Sequence, residues 1–204
     1  MKRICVEGIS VVPSKVVCVG RNYVEHITEL GNEMPSEPVL FIKPNSAISE
    51  WLVLAKPYHY EGEIALLIRA GKPYAVGFGL DLTDRQLQSK LKKKGLPWER
   101  AKAFDGSALF SDFVPFSDDL SSLNLTLKIN GELRQQGGVA EMIHQPLALI
   151  EEIGRFFTLE DNDIVLTGTP KGVGELFLGD ELEGALFAGD TRLISHQWRV
   201  QPAD

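Results

Sequence analysis

Two acids open an otherwise apolar strand, and any fold that buries this strand must provide for them. The stretch is Tyr60-Glu61-Gly62-Glu63-Ile64-Ala65-Leu66-Leu67-Ile68. It is short and apolar and ends at a turn signal, Ala70-Gly71-Lys72-Pro73, which together read as a strand. Side chains alternate between faces along a strand, so Glu61 and Glu63 share a face with Ala65 and Leu67. Two residues of strand span about 6.6 Å, a separation from which two carboxylates can lean onto one ion. Glutamate is almost never fully buried without a partner. Spacing alone leaves two readings open: a strand that starts at the sheet edge with both acids in water, or half of a cation site.

The rest of the chain is long enough to bury this strand. With 204 residues, 44% of them hydrophobic, one domain over 1–204 is expected. The net charge of -7 argues against a nucleic-acid surface, which needs a basic field. No apolar run approaches the roughly 20 residues that cross a bilayer, so no membrane partner is expected. Charges interrupt Met1-Lys2-Arg3-Ile4-Cys5-Val6-Glu7-Gly8 too often for a secretory signal. Cys5 and Cys18 form no Cys-x-x-Cys pattern and read as small buried thiols in a reducing cytoplasm.

Around the acidic strand the chain alternates short strands with turns and a few helices. Lys15–Gly20 and Glu37–Pro44 read as strands, and Asn22 to Gly31 as a short helix capped by Asn22. On that helix His26 and Glu29 stand three apart on one face. A carboxylate bonded to one ring nitrogen makes the other a better base, although an exposed helical charge pair has the same spacing. Ala75–Leu82 is a glycine-bearing strand that ends at Asp81. Thr83-Asp84-Arg85-Gln86 fits a capping box for a helix to about Lys94, with Gly95 as its stop. Arg85 and Gln88 share a face of this helix close to Asp81. Lys92, Lys93 and Lys94 lie at its negative end and read as a solvated face.

Lys102 follows in an apolar context, where a snorkelling lysine is the ordinary reading. Leu125–Ile129 runs into Asn130-Gly131, a hairpin signal. Pro146–Phe157 reads as a helix, and Asp163–Leu166 as a strand leading into Thr167-Gly168-Thr169-Pro170-Lys171-Gly172-Val173-Gly174. The glycine spacing there is neither a P-loop nor a dinucleotide fingerprint, but such a loop can offer hydroxyls and N–H groups to a carboxylate. His59, His144 and His196 have no ligand partners at useful spacing and read as structural.

Taken together, Glu61-x-Glu63, Asp81, Lys102, the His26/Glu29 pair and Thr167-Gly168-Thr169-Pro170 resemble the fumarylacetoacetate hydrolase family, in particular its small acylpyruvate hydrolase/oxaloacetate decarboxylase branch. The likeness extends from about Lys15 to about Glu183. It is most specific at Val19-Gly20-Arg21-Asn22-Tyr23, at Glu37–Pro44, at Lys92-Lys93-Lys94-Gly95-Leu96-Pro97-Trp98 and at Leu166–Gly174. It implies an α+β, mainly β fold, the family's mixed β-sandwich roll with short flanking helices, usually as a homodimer. Glu61, Glu63 and Asp81 fall where the family holds Mg²⁺ or Mn²⁺. Arg85, Gln88 and Thr169 fall on substrate-contacting positions, with Lys43 a weaker candidate. His26 and Glu29 fall on the catalytic dyad, and Lys102, also on a substrate-contacting position, is implied as a third catalytic residue. About a dozen residues separate Ile68 from Asp81, fewer than the family pattern implies, which bears on pocket shape and substrate choice.

The chemistry of these residues agrees. Three converging carboxylates are costly to bury unless they take up protons or bind a cation, and all-oxygen ligation selects a hard ion. The resemblance implies hydrolysis of acylpyruvates to pyruvate and a carboxylic acid, with oxaloacetate decarboxylation through the same metal-bound enolate. Two alternatives within enzymes are an isomerase/decarboxylase of a hydroxylated dienedioate and an oxaloacetate keto-enol tautomerase. Outside enzymes, the alternative is a metal-stabilised binding protein on the same fold.

Overall fold

The computed structural model describes residues 1–29 and 37–203, with backbone alone for residues 26–28. Among the described residues, two larger β-sheets and three two-stranded pairs carry the structure, and the helices are few and short. The larger sheet runs in the order Val114–Pro115, Lys72–Asp81, Gly62–Arg69, Ile164–Leu166, Lys15–Gly20 and Val39–Pro44, with Ala108–Phe110 also paired to Lys72–Asp81. Its neighbours are antiparallel except Ile164–Leu166 beside Lys15–Gly20. The smaller sheet is an antiparallel set of four: Glu132–Gly138, Leu123–Ile129, Glu181–Ala188 and Thr191–Arg199. This is the mainly β, mixed-sheet architecture expected, and none of the described helices is long and apolar enough to cross a membrane.

The acidic strand is central because both of its faces are covered. Ile64, Leu66 and Ile68 join Phe78, Leu125, Leu127, Leu182 and Trp198 in the core between the sheets. Ala65 and Leu67 point the other way, into a second core with Val16, Cys18, Phe113 and Leu166. A sheet buried on both faces explains the nearly unbroken apolar runs of its strands. Contact between the sheets is close at Gly184, where an added Cβ would meet the Phe78 ring at 2.6 Å.

Local chemistry sets the ends of these elements, not always as expected. The strand turns at Ala70 and Gly71, both at positive φ, and re-enters the sheet at Lys72, three residues before Ala75. Pro73, which has no N–H to donate, is accommodated at a register shift beside Ile68, whose N–H instead bonds Asp163 O at 3.0 Å. The hairpin at Asn130-Gly131 has positive φ at both residues, as a primed turn requires. The helix near Asp81 covers Arg85–Lys93, and its N-cap is Asp84, which accepts from Leu87 N, rather than Thr83. The Asn22 amide, expected as a cap, is buried and bonds His144 N and O and Thr167 O, tying that corner to two distant segments. The expected stop at Gly31 lies outside the described residues.

Candidate active site

The carboxylates of Glu61, Glu63 and Asp81 converge at one end of the larger sheet, because Glu61 and Glu63 flank Gly62 at the start of one strand and Asp81 ends its neighbour. Asp81 N bonds Glu61 O at 2.9 Å, which locks the two strand ends together. One oxygen from each carboxylate lies within 4.8 Å of the others, and all three residues are buried. The protein surrounds them with fixed donors. Lys102 Nζ donates to Glu61 Oε2 and Asp81 Oδ2 at 2.8 Å each and to Thr83 Oγ1 at 2.7 Å. Lys43 Nζ stands 2.9 Å from Asp81 Oδ1, and Arg85 is bonded to Glu61 Oε1. Gly168 N donates to Glu63 Oε2 at 2.7 Å. Gly168 has φ +100°, and a Cβ there would lie 2.8 Å from that of Asn22, so only glycine presents this N–H without strain.

Burial first, then the charges of Asp81 and Glu61, push the Glu63 carboxyl well above the usual carboxylate range. Burial alone would lower Lys102, but Asp81 and Glu61 outweigh it and hold the ammonium in its charged form. A buried set of carboxylates with one member resisting ionisation favours a further cation. The donors are all hard oxygens, so the set fits a divalent ion such as Mg²⁺ or Mn²⁺, shared with the Lys102 ammonium.

A narrow cleft of about 40 Å³ opens over these carboxylates. Arg85, Gln88 and Thr169 line it. Arg85 Nη1 donates to Gln88 Oε1 at 2.8 Å, so the two are held as a unit. Thr169 Oγ1 donates to Gly62 O at 2.9 Å, which makes its side chain a brace as well as a wall. Lys43 is elsewhere. It is fully buried behind Asp81, with Ser107 O at 3.0 Å and Leu82 O at 3.4 Å also on its ammonium, and orients the carboxylate rather than facing the cleft. Glu29 accepts from Gly172 N at 3.1 and 3.2 Å, and Glu25 pairs with Lys171 at 3.0 Å, so the Val24–Glu29 helix rests on the 167–174 loop. Gly172 must be glycine, since a Cβ there would lie 2.0 Å from Arg134 O. The His26 side chain lies outside the described residues.

Several residues of the site had no role assigned from the sequence, although four of them lie in the segments where the family likeness is most specific. Arg21, Phe41, Lys92 and Trp98 all line the cleft. Lys92 is therefore not simply part of a solvated face; it is half-buried, with its ammonium 5.4 Å from the centroid of the Trp98 ring. Gln135 is buried in the smaller sheet. Its Oε1 accepts from Gly62 N at 2.8 Å, and its Nε2 donates to Thr169 Oγ1 at 2.8 Å and Pro170 O at 2.9 Å. One amide thus braces both the residue between Glu61 and Glu63 and the loop that holds Glu63. Outer-sphere partners of this kind change metal affinity about 10–100-fold. Gln135→Met, which keeps the length and removes the hydrogen bonds, is expected to weaken Mn²⁺ binding by that factor in titration calorimetry. A lower melting temperature with unchanged Mn²⁺ affinity would reduce Gln135 to a fold residue.

The family described as "Fumarylacetoacetate (FAA) hydrolase C-terminal" matches residues 15–197. "Oxaloacetate tautomerase YcgM" of Escherichia coli (strain K12) is 48% identical over 189 residues, covering 83% of this chain and 86% of that protein. A crystal structure of a "putative fumarylacetoacetate isomerase/hydrolase" from Oleispira antarctica has a TM-score of 0.93 at 39% identity, covering 98% of this chain and 100% of that one. The crystal structure of fumarylpyruvate hydrolase from Pseudomonas aeruginosa in complex with Mn²⁺ and pyruvate has a TM-score of 0.87 at 30% identity, covering 99% and 96%.

Proposed function

Because the chain belongs to the fumarylacetoacetate hydrolase family, we propose that it is a divalent-metal-dependent enzyme acting on small 2-oxo acids through an enolate, with oxaloacetate keto-enol tautomerisation as its first reaction. The observation that carries this reading is the convergence of Glu61, Glu63 and Asp81 beneath a cleft lined by cationic side chains. The relative named as an oxaloacetate tautomerase, at 48% identity, supports the choice of reaction. Hydrolysis of an acylpyruvate is the second reading, favoured by the likeness to fumarylpyruvate hydrolase. Decarboxylation of oxaloacetate is the third reaction to share an enolate.

Glu61, Glu63 and Asp81 would hold Mg²⁺ or Mn²⁺. When bound, the ion supplies Lewis acidity and a point of chelation for the carboxylate and keto oxygens of a 2-oxo acid. The remaining work falls to the chain. Lys102 keeps its charge beside the oxygen on which negative charge develops. Its three hydrogens are engaged by Glu61, Asp81 and Thr83, so it acts by its field rather than by donation. Lys43 and Gly168 keep Asp81 and Glu63 in place, so the site needs little reorganisation during the reaction. His26, with Glu29, moves the proton: between the enol oxygen and the carbon next to it in tautomerisation, or from the attacking water in hydrolysis.

The test is a side-by-side assay on one preparation. It follows oxaloacetate enol-to-keto conversion, and pyruvate release from oxaloacetate and from acetylpyruvate, with Mg²⁺ and with excess chelator. The reading expects at least one metal-dependent activity, with enol-to-keto conversion the fastest. Full rates in chelator, or no activity on any of these acids, would overturn it.

A further inference from the structure

Glu63 is held by a peptide whose two ends are both engaged. Gly168 N donates to Glu63 Oε2 at 2.7 Å, and the carbonyl of the same peptide, Thr167 O, accepts from Asn22 Nδ2 at 2.8 Å. A donor on the carbonyl and an acceptor on the N–H polarise a peptide in the same sense, so each bond strengthens the other. Asn22 is fully buried behind the cleft and reaches Glu63 only through this peptide unit.

The loop depends on such a clamp. Thr167 N and Oγ1 both donate to Ile64 O, at 3.2 and 2.9 Å. Further on, Thr169 Oγ1 donates to Gly62 O, and Pro170 O accepts from Gln135 Nε2. Between these anchors the Thr167–Gly168 peptide lies beyond Leu166, the last residue of its strand, which pairs with Ala65. Strand register therefore does not fix which way it faces. Glycine at 168 permits the φ of +100° that turns the N–H towards Glu63, and it equally permits the reverse. Rotation of the peptide would set Thr167 O, an acceptor, against the Glu63 carboxylate. The bond from Asn22 opposes that rotation, and Asn22 is itself fixed. Its Oδ1 accepts from His144 N at 2.8 Å, its Nδ2 also donates to His144 O at 3.0 Å, and its backbone O accepts from Ile143 N at 2.9 Å. Both amide hydrogens and the amide oxygen are thus used, which assigns the orientation of the side chain.

We propose that Asn22 is a positioning residue for Glu63: it fixes the Thr167–Gly168 peptide with its N–H on the carboxylate before an ion arrives. With Oε2 held in this way, the other oxygen keeps its direction towards Glu61 and Asp81. The proposal rests on the reading of the carboxylate cluster as a cation site. It adds a residue on which the affinity of that site depends, acting through one peptide rather than by ligation.

Asn22→Ser is too short to bridge Thr167 O and His144, and Asn22→Leu keeps the volume without a donor. Either is expected to weaken Mn²⁺ binding about 10-fold in calorimetry, the lower end of the range for outer-sphere partners. Gln145→Met is the control. Gln145 Nε2 donates to Val139 O and Met142 O at 3.0 and 3.2 Å, so losing it loosens the segment on which Asn22 leans and leaves the clamping bond intact. It should lower the melting temperature with Mn²⁺ affinity unchanged. Equal affinity in wild type and the Asn22 variants, or an equal loss in Gln145→Met, overturns the proposal.

A second readout needs no ion. In EDTA, nuclear magnetic resonance of wild type carrying isotope-labelled glycine should show the Gly168 amide proton downfield and slow to exchange, as a charge-assisted bond requires. In Asn22→Ser it should move upfield and exchange faster. A freely exchanging Gly168 amide in wild type overturns the clamp, and this measurement decides the matter if neither Asn22 variant folds. If wild type binds no Mn²⁺, the metal reading fails, and the Gly168 amide alone decides whether Asn22 holds the peptide.

Discussion

Glu63→Gln is expected to weaken divalent-metal binding by at least about 100-fold and to reduce turnover to background. The substitution preserves shape, and a glutamine oxygen can still accept the Gly168 N–H that Glu63 accepts at 2.7 Å. What it removes is one of three buried charges that together fit a hard cation. The same change should not lower the stability of the metal-free protein. Burial and the neighbouring Asp81 and Glu61 push the Glu63 carboxyl up, so its ionised form is a cost to the fold that a neutral amide avoids. The pair of measurements is Mn²⁺ affinity by calorimetry and melting temperature in EDTA. Lost affinity with an unchanged or higher melting temperature assigns Glu63 to the ion. Wild-type activity from Glu63→Gln in Mg²⁺ would remove the metal assignment.

His26→Ala should separate the reactions that one enolate site can run. Tautomerisation moves a proton at carbon and acylpyruvate hydrolysis needs an activated water, so both should fall by about 10²–10⁴-fold, the usual loss for a general base. Decarboxylation of oxaloacetate requires chelation and departure of CO₂, and should fall much less. Glu29→Gln is the companion variant, because Glu29 also meets Gly172 N at the helix end and an amide oxygen retains that contact. If Glu29 serves only to seat the helix on the loop, Glu29→Gln keeps its activity; if it orients the base, hydrolysis and tautomerisation drop together. Equal loss of all three reactions in His26→Ala would assign His26 to closure over the site instead.

The directions of the site's side chains were legible in the sequence wherever a local period set them. Glu61 and Glu63 share a face because strand side chains alternate, and the same count sends Ile64, Leu66 and Ile68 into the core between the sheets. Arg85 and Gln88 line the cleft because helical residues three apart are neighbours. That rule also reaches Lys92, but the run of three lysines at a helix C-terminus has a sufficient explanation in the helix dipole, and this masked the one that turns inward. The resemblance to a family carried the remaining assignments, including Lys102, whose local context alone suggested only a snorkelling side chain.

Partners were another matter. Thr83 has the sequence of a cap, yet Asp84 caps the helix and Thr83 accepts from Lys102. Asn22 likewise has the sequence of a cap but bonds His144 and Thr167. Lys43 could be placed near a substrate by likeness, but only the packing of the strands put it behind Asp81. Gln135 reaches Gly62 across 73 residues, and Lys102 reaches Glu61 across 41. The sequence by itself determined which way each side chain leaves its strand or helix, since φ/ψ geometry repeats every two or 3.6 residues. The tertiary structure alone decided what each side chain meets, because a buried polar group bonds whatever the chain crossing brings within about 3 Å, and no local period encodes that crossing.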